Sequence, residues 1–347
     1  MMVLGEAGLH ELLARALKAA PVLAPVRRGR NSYAFAWIED PAEVALTYPR
    51  TVLPPKQAFL PPNEDLLRFQ RLPTPAALPV APRTPLTVFG IHPCDLAAVN
   101  QLDWAMQRRH GVTDPSYSAR RTSATIIGIE CLPDEYCFCT CVGTAGTREG
   151  ADLFLTPVDG EHVVEVLTEK GESLIASVTQ WRDVQTQEQS AFEQWQQRKL
   201  DQATCHLEAA LEELPDLLSA GYDSSIWEAT AARCYSCGTC TNVCPTCFCF
   251  DVSDRLDVAQ ATGVRRRRYD SCQLLEFALV AGGHNFRGDR EDRVRHRWFR
   301  KFVYLNREYG RPFCVGCGRC SQACTADIDL VAVLNSVVTE TRQETAR

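Results

Sequence analysis

Two cysteine runs carry the chemistry of this 347-residue chain. The first is Cys234-Tyr-Ser-Cys237-Gly-Thr-Cys240-Thr-Asn-Val-Cys244, followed by Pro245. The second is Cys314-Val-Gly-Cys317-Gly-Arg-Cys320-Ser-Gln-Ala-Cys324. Both read C-x2-C-x2-C-x3-C, the spacing with which bacterial-type ferredoxins hold a pair of 4Fe-4S clusters. Such clusters move single electrons, which no side chain can do. In that arrangement the fourth cysteine of each run ligates the cluster of the other. The spacing therefore assigns Cys234, Cys237, Cys240 and Cys324 to cluster 1, and Cys314, Cys317, Cys320 and Cys244 to cluster 2. Structural zinc takes C-x2-C pairs from separate knuckles, so a 2-2-3 spacing that occurs twice suits a cubane better. Thr325 stands where the second run would repeat Pro245, and no ligand is lost by it. Gly238, Gly316 and Gly318 leave room for backbone amides to approach the sulfides, and such hydrogen bonds tune potential.

The chain has 17 cysteines in all. A secreted disulfide scaffold and a metal protein of a reducing compartment both use many. The first twenty residues carry Glu6, His10, Glu11, Arg15 and Lys18, so they lack the uncharged apolar stretch of a secretory leader. They read as an amphipathic helix with Leu9, Leu12, Leu13, Ala16 and Leu17 on one face. No segment is apolar enough to span a bilayer. A cytoplasmic location with cysteines as thiolate ligands follows.

Outside the two runs, Cys131, Cys137, Cys139 and Cys141 crowd one loop, and Cys94 stands at an expected helix start, where the helix dipole favours thiolate. Packing does not require that density. One reading is a third cluster held by Cys94, Cys131, Cys137 and Cys139. The rival is a cluster or reactive thiol site drawn from Cys247, Cys249 and Cys272. Cys205, on a helical stretch, reads as an ordinary core thiol. His92 and His284 lie near the cysteine motifs and read as structural histidines.

Stepwise along the chain, the elements that would position these residues form an α+β pattern. A mixed α/β domain is expected over 1–187. Its strands are SYAFAWI (32–38), PLTVFGI (85–91), SATIIGI (123–129), DLFLTPV (152–158), HVVEVLT (162–168) and SLIASVT (173–179), with a helix over 92–109 between the second and third. RTVLPPKQAFLPPNEDL (50–66) is proline-rich and looping. A helical linker follows over 188–224. A helical, ferredoxin-like domain with two 4Fe-4S clusters is expected over 225–335, and 336–347 forms a tail. Residues 245–313 separate the two runs and include YDSCQLLEFALVAGG (269–283), a helix candidate.

Hydrophobic content of 45% and charged content of 23% are those of a globular chain. A net charge of −6 weighs against nucleic acid as a partner. The run Arg265–Arg268 and the stretch 287–302 are locally basic. They read as solvated faces, or as a docking patch for an acidic partner, or as an offset to the negative charge of thiolate-bound iron. No G-x-G-x-x-G, P-loop, Ser-His-Asp or H-E-x-x-H pattern is present. A chain with cluster sites and no nucleotide motif reads as an electron wire with no catalytic residues of its own.

The strings FGIHPCDLAAVNQLD (89–103), GIECLPDEYCFC (128–139), CGTCTNVCPTCFC (237–249), YDSCQLLEFALVAGGHNFR (269–287) and FCVGCGRCSQAC (313–324) together resemble the β subunit of soluble NAD(P)-linked nickel–iron hydrogenases, or sulfhydrogenases. The resemblance runs from about residue 50 to 330. It extends to the related iron–sulfur component of anaerobic sulfite reductase. It implies an iron–sulfur subunit that carries electrons between the hydrogenase small and large subunits and a flavin- and NAD(P)-binding, reductase-like subunit. It also marks Cys94, Cys131, Cys137, Cys139, Cys247, Cys249 and Cys272 as motif cysteines, and leaves Cys141 and Cys205 outside. The alternative is the electron-input subunit of an anaerobic sulfite or sulfur/polysulfide reductase.

Overall fold

Short apolar runs bounded by turn residues become the strands of the larger sheet. The computed structural model describes residues 1–80 and 85–346. Its strands are β1 (Met2–Leu4), β2 (Val22–Arg27), β3 (Tyr33–Ile38), β4 (Asn63–Gln70), β5 (Ala76–Pro79), β6 (Leu86–Ile91), β7 (Ala124–Ile129), β8 (Leu153–Val158), β9 (Glu161–Val166), β10 (Arg182–Asp183), β11 (Phe250–Asp257) and β12 (Thr262–Tyr269). Eight of them form one sheet in the order β10-β1-β9-β8-β7-β6-β2-β3. β2, β6, β7 and β8 are parallel, and antiparallel strands flank them. β6 is buried at every residue and β7 at all but one, the texture of parallel strands covered on both faces. The helix Glu6–Ala19 lays Leu9, Leu12, Leu13 and Ala16 into the core that includes Phe89, Ile127 and Leu155. The helices Pro93–Asp103 and Pro115–Ser123 make the crossover from β6 to β7.

A second sheet has the order β11-β12-β4-β5. Here the arginine run lies along β12. Arg265 pairs with Asp254 at 2.8 Å and Arg266 with Asp65 at 2.8 Å. Arg267, 2% exposed, bonds both Glu64 and Asp114. Arg267 is engaged inside the fold while Arg265 and Arg266 pair nearer the surface, so the run is not a uniformly solvated face.

The chain divides into two units. The first comprises residues 1–134, 145–202 and 252–268, and holds both sheets. The second comprises 135–144, 203–251 and 269–347. Its core includes Trp227, Trp298, Phe302, Leu334 and Val338. Among its described residues the regular elements include the helices Leu214–Ala220, Ser225–Arg233, Arg290–Phe299 and Leu330–Thr345.

Three local expectations differ from what is observed. Residues 173–179 are not a strand. The side chain of Thr168 caps Gly171 N–H at 3.3 Å and starts the helix Glu169–Ile175, which buries Ile175. Residues 269–283 are not a full helix. The Asp270 carboxylate accepts from Ser271 N–H (2.7 Å) and the Ser271 hydroxyl from Gln273 N–H (3.2 Å), bonds that compete with a helical ladder and leave one tight turn over Leu275–Ala278. The helical linker expected over 188–224 breaks into Thr186–Asp201 and Leu214–Ala220.

Candidate metal centres

Both cysteine runs fold the same way, with left-handed residues at matching positions. Each places a residue in the left-handed region at its third position, Ser236 (φ 54°) and Gly316 (φ 65°). Each has a left-handed glycine at its fifth, Gly238 (φ 78°) and Gly318 (φ 71°). Those glycines open one-turn helices, Thr239–Asn242 and Arg319–Gln322. The backbone bonds echo: Thr241 N–H to Gly238 O is 3.0 Å and Ser321 N–H to Gly318 O is 3.1 Å. Cys244 N–H reaches Thr241 O at 3.3 Å and Cys324 N–H reaches Ser321 O at 3.2 Å. Glycine reaches this conformation at little cost, whereas a residue with a Cβ is strained there.

The turns gather sulfur around a cavity. Cys234, Cys237, Cys240, Cys320 and Cys324 line one pocket together with Val294, Arg297 and Trp298. The set expected for cluster 1 is thus brought together, with Cys324 supplied by the other run. Cys314 faces Cys320 and Cys244 electrostatically, so three members of the set expected for cluster 2 are also neighbours. The described residues include no group of three or more His, Cys, Asp or Glu that could hold one metal ion. Five thiols around one pocket exceed the four ligands of a tetrahedral ion and suit a polynuclear cluster better. None of the 17 cysteines forms a disulfide.

Burial pushes Cys240 and Cys314 up to about 11. At neutral pH such thiols keep their protons until a metal displaces them. Cys237 is the contrast: it is exposed, and the Thr239 hydroxyl lowers it. Cys247 shares a hydrogen bond with Cys244, which raises it. Cys249 and Cys272 also share one, which holds Cys272 down at about 6 and raises Cys249.

A buried positive side supplies the test of whether these residues fit an anionic cluster. Arg297 is 4% exposed, and both its terminal nitrogens, Nη1 and Nη2, are buried with no hydrogen-bond partner among the described residues. Burial alone would lower its pKa; Cys240, Cys320, Cys247 and Cys244 around it outweigh that and raise it. Lys301, one turn on and 3% exposed, is raised against its burial by Cys244, Cys247 and Cys314. Its Nζ donates to Thr246 Oγ1 at 2.8 Å and to Phe313 O at 3.1 Å. An isolated buried cation is costly unless paired. Thiolate-bound iron–sulfur clusters are the anions this donor set can hold, so the residues fit them.

Sequence reading located the basic stretch 287–302 but did not single out Arg297 and Lys301. The signal was their spacing: Arg293, Arg297 and Lys301 fall at i, i+4 and i+8 beside Val294, Trp298 and Phe302, which puts them on an inward-facing side of the helix. The four cysteines of the expected third cluster divide between the units, Cys94 and Cys131 in the first and Cys137 and Cys139 in the second. Cys141 donates through its sulfur to Cys205 O at 2.9 Å. His92 stacks on Tyr48, ring centroids 4.0 Å apart, and His284 meets Phe286 edge-on at 4.6 Å.

Comparison with known proteins agrees with this chemistry. Residues 233–328 match the family model described as a 4Fe-4S dicluster domain. The sulfhydrogenase 2 subunit beta of Pyrococcus furiosus is 37% identical over 328 residues, covering 94% of this chain and 95% of that protein. No solved structure matches. No helix among the described residues is long and apolar enough to cross a membrane.

Proposed function

The chain belongs to the sulfhydrogenase subunit-beta family, and from that premise we propose that it is the electron-transfer subunit of a hydrogenase complex, linking a flavin- and NAD(P)-binding subunit to nickel–iron small and large subunits. When bound, two 4Fe-4S clusters supply one-electron steps. The protein supplies the rest. Cys234, Cys237, Cys240 and Cys324 hold the first cluster, and Cys314, Cys317, Cys320 and Cys244 the second. Arg297 and Lys301 balance their charge. Trp298, Val294 and Ile328 keep the wall of the first site apolar. The second unit is the helical dicluster domain of this reading.

The observation that carries the reading is the shared pocket, in which Cys320 and Cys324 of one run join three cysteines of the other. Metal analysis of the full chain purified without oxygen tests it. About eight iron atoms per chain are expected for two cubanes and about twelve if a third is present. Cys244→Ala should disturb the cluster held by Cys314, Cys317 and Cys320. Loss confined to the signal of the Cys234–Cys240 cluster would show that the ligands are not crossed.

A further inference from the structure

We propose that residues 274–286 form a docking surface for a protein partner with its own one-electron carrier, and that electrons pass through the Cys237 edge of the first cysteine set. The inference rests on the two-cluster reading above and deepens it.

Among the described residues Cys237 is the one exposed cysteine. It lines the same pocket as Cys234, Cys240 and Cys324, so the first cluster site reaches the surface there. Cys244, Cys314 and Cys317 of the other set are buried. Apolar side chains stand exposed beside that edge. Tyr235 is 69% exposed, Phe286 67%, Leu275 50% and Leu279 50%, and Leu274 and Val280 are exposed as well. Leu274 Cδ2 lies 3.8 Å from where a Cβ on Gly238 would stand. The hydroxyls of Ser271 and Thr241 share a hydrogen bond of 2.5 Å. The apolar group is therefore seated on the cysteine run itself. Contiguous exposed apolar surface marks an interaction site.

The segment is held in shape before any partner arrives. Leu279 and Asn285 pair as a bridge, Val280 N–H donates to His284 O at 2.9 Å, and Asn285 Nδ2 donates to Leu275 O at 2.7 Å. Gly282 and Gly283, at φ 91° and 81°, turn the chain at the tip. Buried Arg293 ties the base together. Its Nη1 donates to Arg287 O at 3.0 Å and Gly288 O at 2.6 Å, and its Nε to Gln273 O at 3.1 Å. Its Nη2 reaches Ser236 Oγ, next to Cys237, at 3.5 Å. Both ends of the segment are thus fixed against the run that would hold the cluster. A preformed surface loses little freedom on binding, and a partner seated on it stands at a set distance from the cluster.

The position selects the occupant. One electron leaves one carrier as the other takes it, and no bond forms or breaks. A second copy of this chain would set two clusters of equal potential face to face, with no difference to drive transfer. A subunit with a different carrier supplies that difference. Aromatic and apolar side chains with little charge are what the core of such an interface uses.

The test expresses a tagged chain with the other subunits of its complex and purifies it without oxygen. Leu279→Glu with Val280→Glu should cut retention of the carrier-bearing subunit by about tenfold or more. Bleaching of the clusters by electrons from that subunit should slow in step. Iron content, and bleaching by dithionite, which needs no docking, should match the unaltered chain. Leu256→Glu with Val258→Glu, at exposed apolar residues of the first unit, should retain the subunit. Full retention in the Leu279→Glu, Val280→Glu chain, or equal loss in both pairs, would overturn the inference. So would a loss confined to self-association in sedimentation, or to a subunit without a redox carrier. An unaltered chain without iron would overturn the two-cluster reading itself.

Discussion

Both units bury positive charge, and they neutralise it with different chemistry. In the first unit the partners are carboxylates. Glu64 accepts from Arg120 and Arg267, and Arg267 also reaches Asp114. Glu130 accepts from the buried Lys199 and from Arg148. In the second unit, Arg297 and Lys301 face sulfur. A carboxylate is part of the chain and is charged once the chain folds. A buried thiol becomes an adequate partner when metal takes its proton. The first unit therefore carries its own counterions, as does Arg295 of the second with Glu291 and Asp292, whereas Arg297 and Lys301 acquire theirs with the cofactor.

Removing the iron should produce the largest effect. Breaking a buried charge pair by removing one partner costs about 3–5 kcal/mol, and Arg297 and Lys301 would lose theirs together. Anaerobic chelation should strip hydrogen-exchange protection from Trp227, Trp298 and Leu334 while β6 and β7 keep theirs. Equal protection in the second unit before and after iron loss would break the contrast.

Glu64→Ala is the mirror experiment. It leaves Arg120 and Arg267 facing each other with a partner removed. The first unit should lose about 3–5 kcal/mol in denaturant unfolding, with iron content unchanged. A loss below about 1 kcal/mol, the range of exposed pairs, would mean the buried carboxylate does little there.

The contrast also explains what could be read in the sequence. The strands β6, β7, β8 and β9 were legible because covered strands are continuous apolar runs. The cysteine sets were legible because cubane ligands need fixed spacing. The hairpin β11–β12 was not. Its residues FDVSDRLD and TGVRRRRY are mostly polar, and they pair through carboxylates at Asp65, Glu64 and Asp114, distant in sequence. Periodicity in one segment cannot reveal a partner two hundred residues away. Gly316 carried half its meaning in sequence. A Cβ there would meet Cys139 N at 2.4 Å and Phe138 C at 2.5 Å. The glycine is needed for the close approach of residues 137–144, where Phe138 N–H donates to Gly316 O at 2.8 Å. Such packing between separated segments has no local signature.

The smallest effect separates the units by pH. In the first unit burial lowers His162. In the second, burial and then the facing Arg287 and Arg300 together lower His296 to about 4; the Tyr304 ring stands 6.0 Å away. An unfolded histidine titrates near 6.5. The folded second unit thus resists a proton that the unfolded chain accepts. The stability contributed is fully present above pH 6.5 and is lost as pH falls toward 4. Linkage puts the loss at about 2 kcal/mol by pH 5. His296→Gln should flatten the second unit's stability between pH 6.5 and 5 by that amount, and His162→Gln should leave this slope alone. A slope that survives His296→Gln would mean that other groups carry the acid sensitivity of the helix bearing Arg297 and Lys301. Arg287 and Arg300, which with burial hold His296 down, would then set no measurable part of that sensitivity.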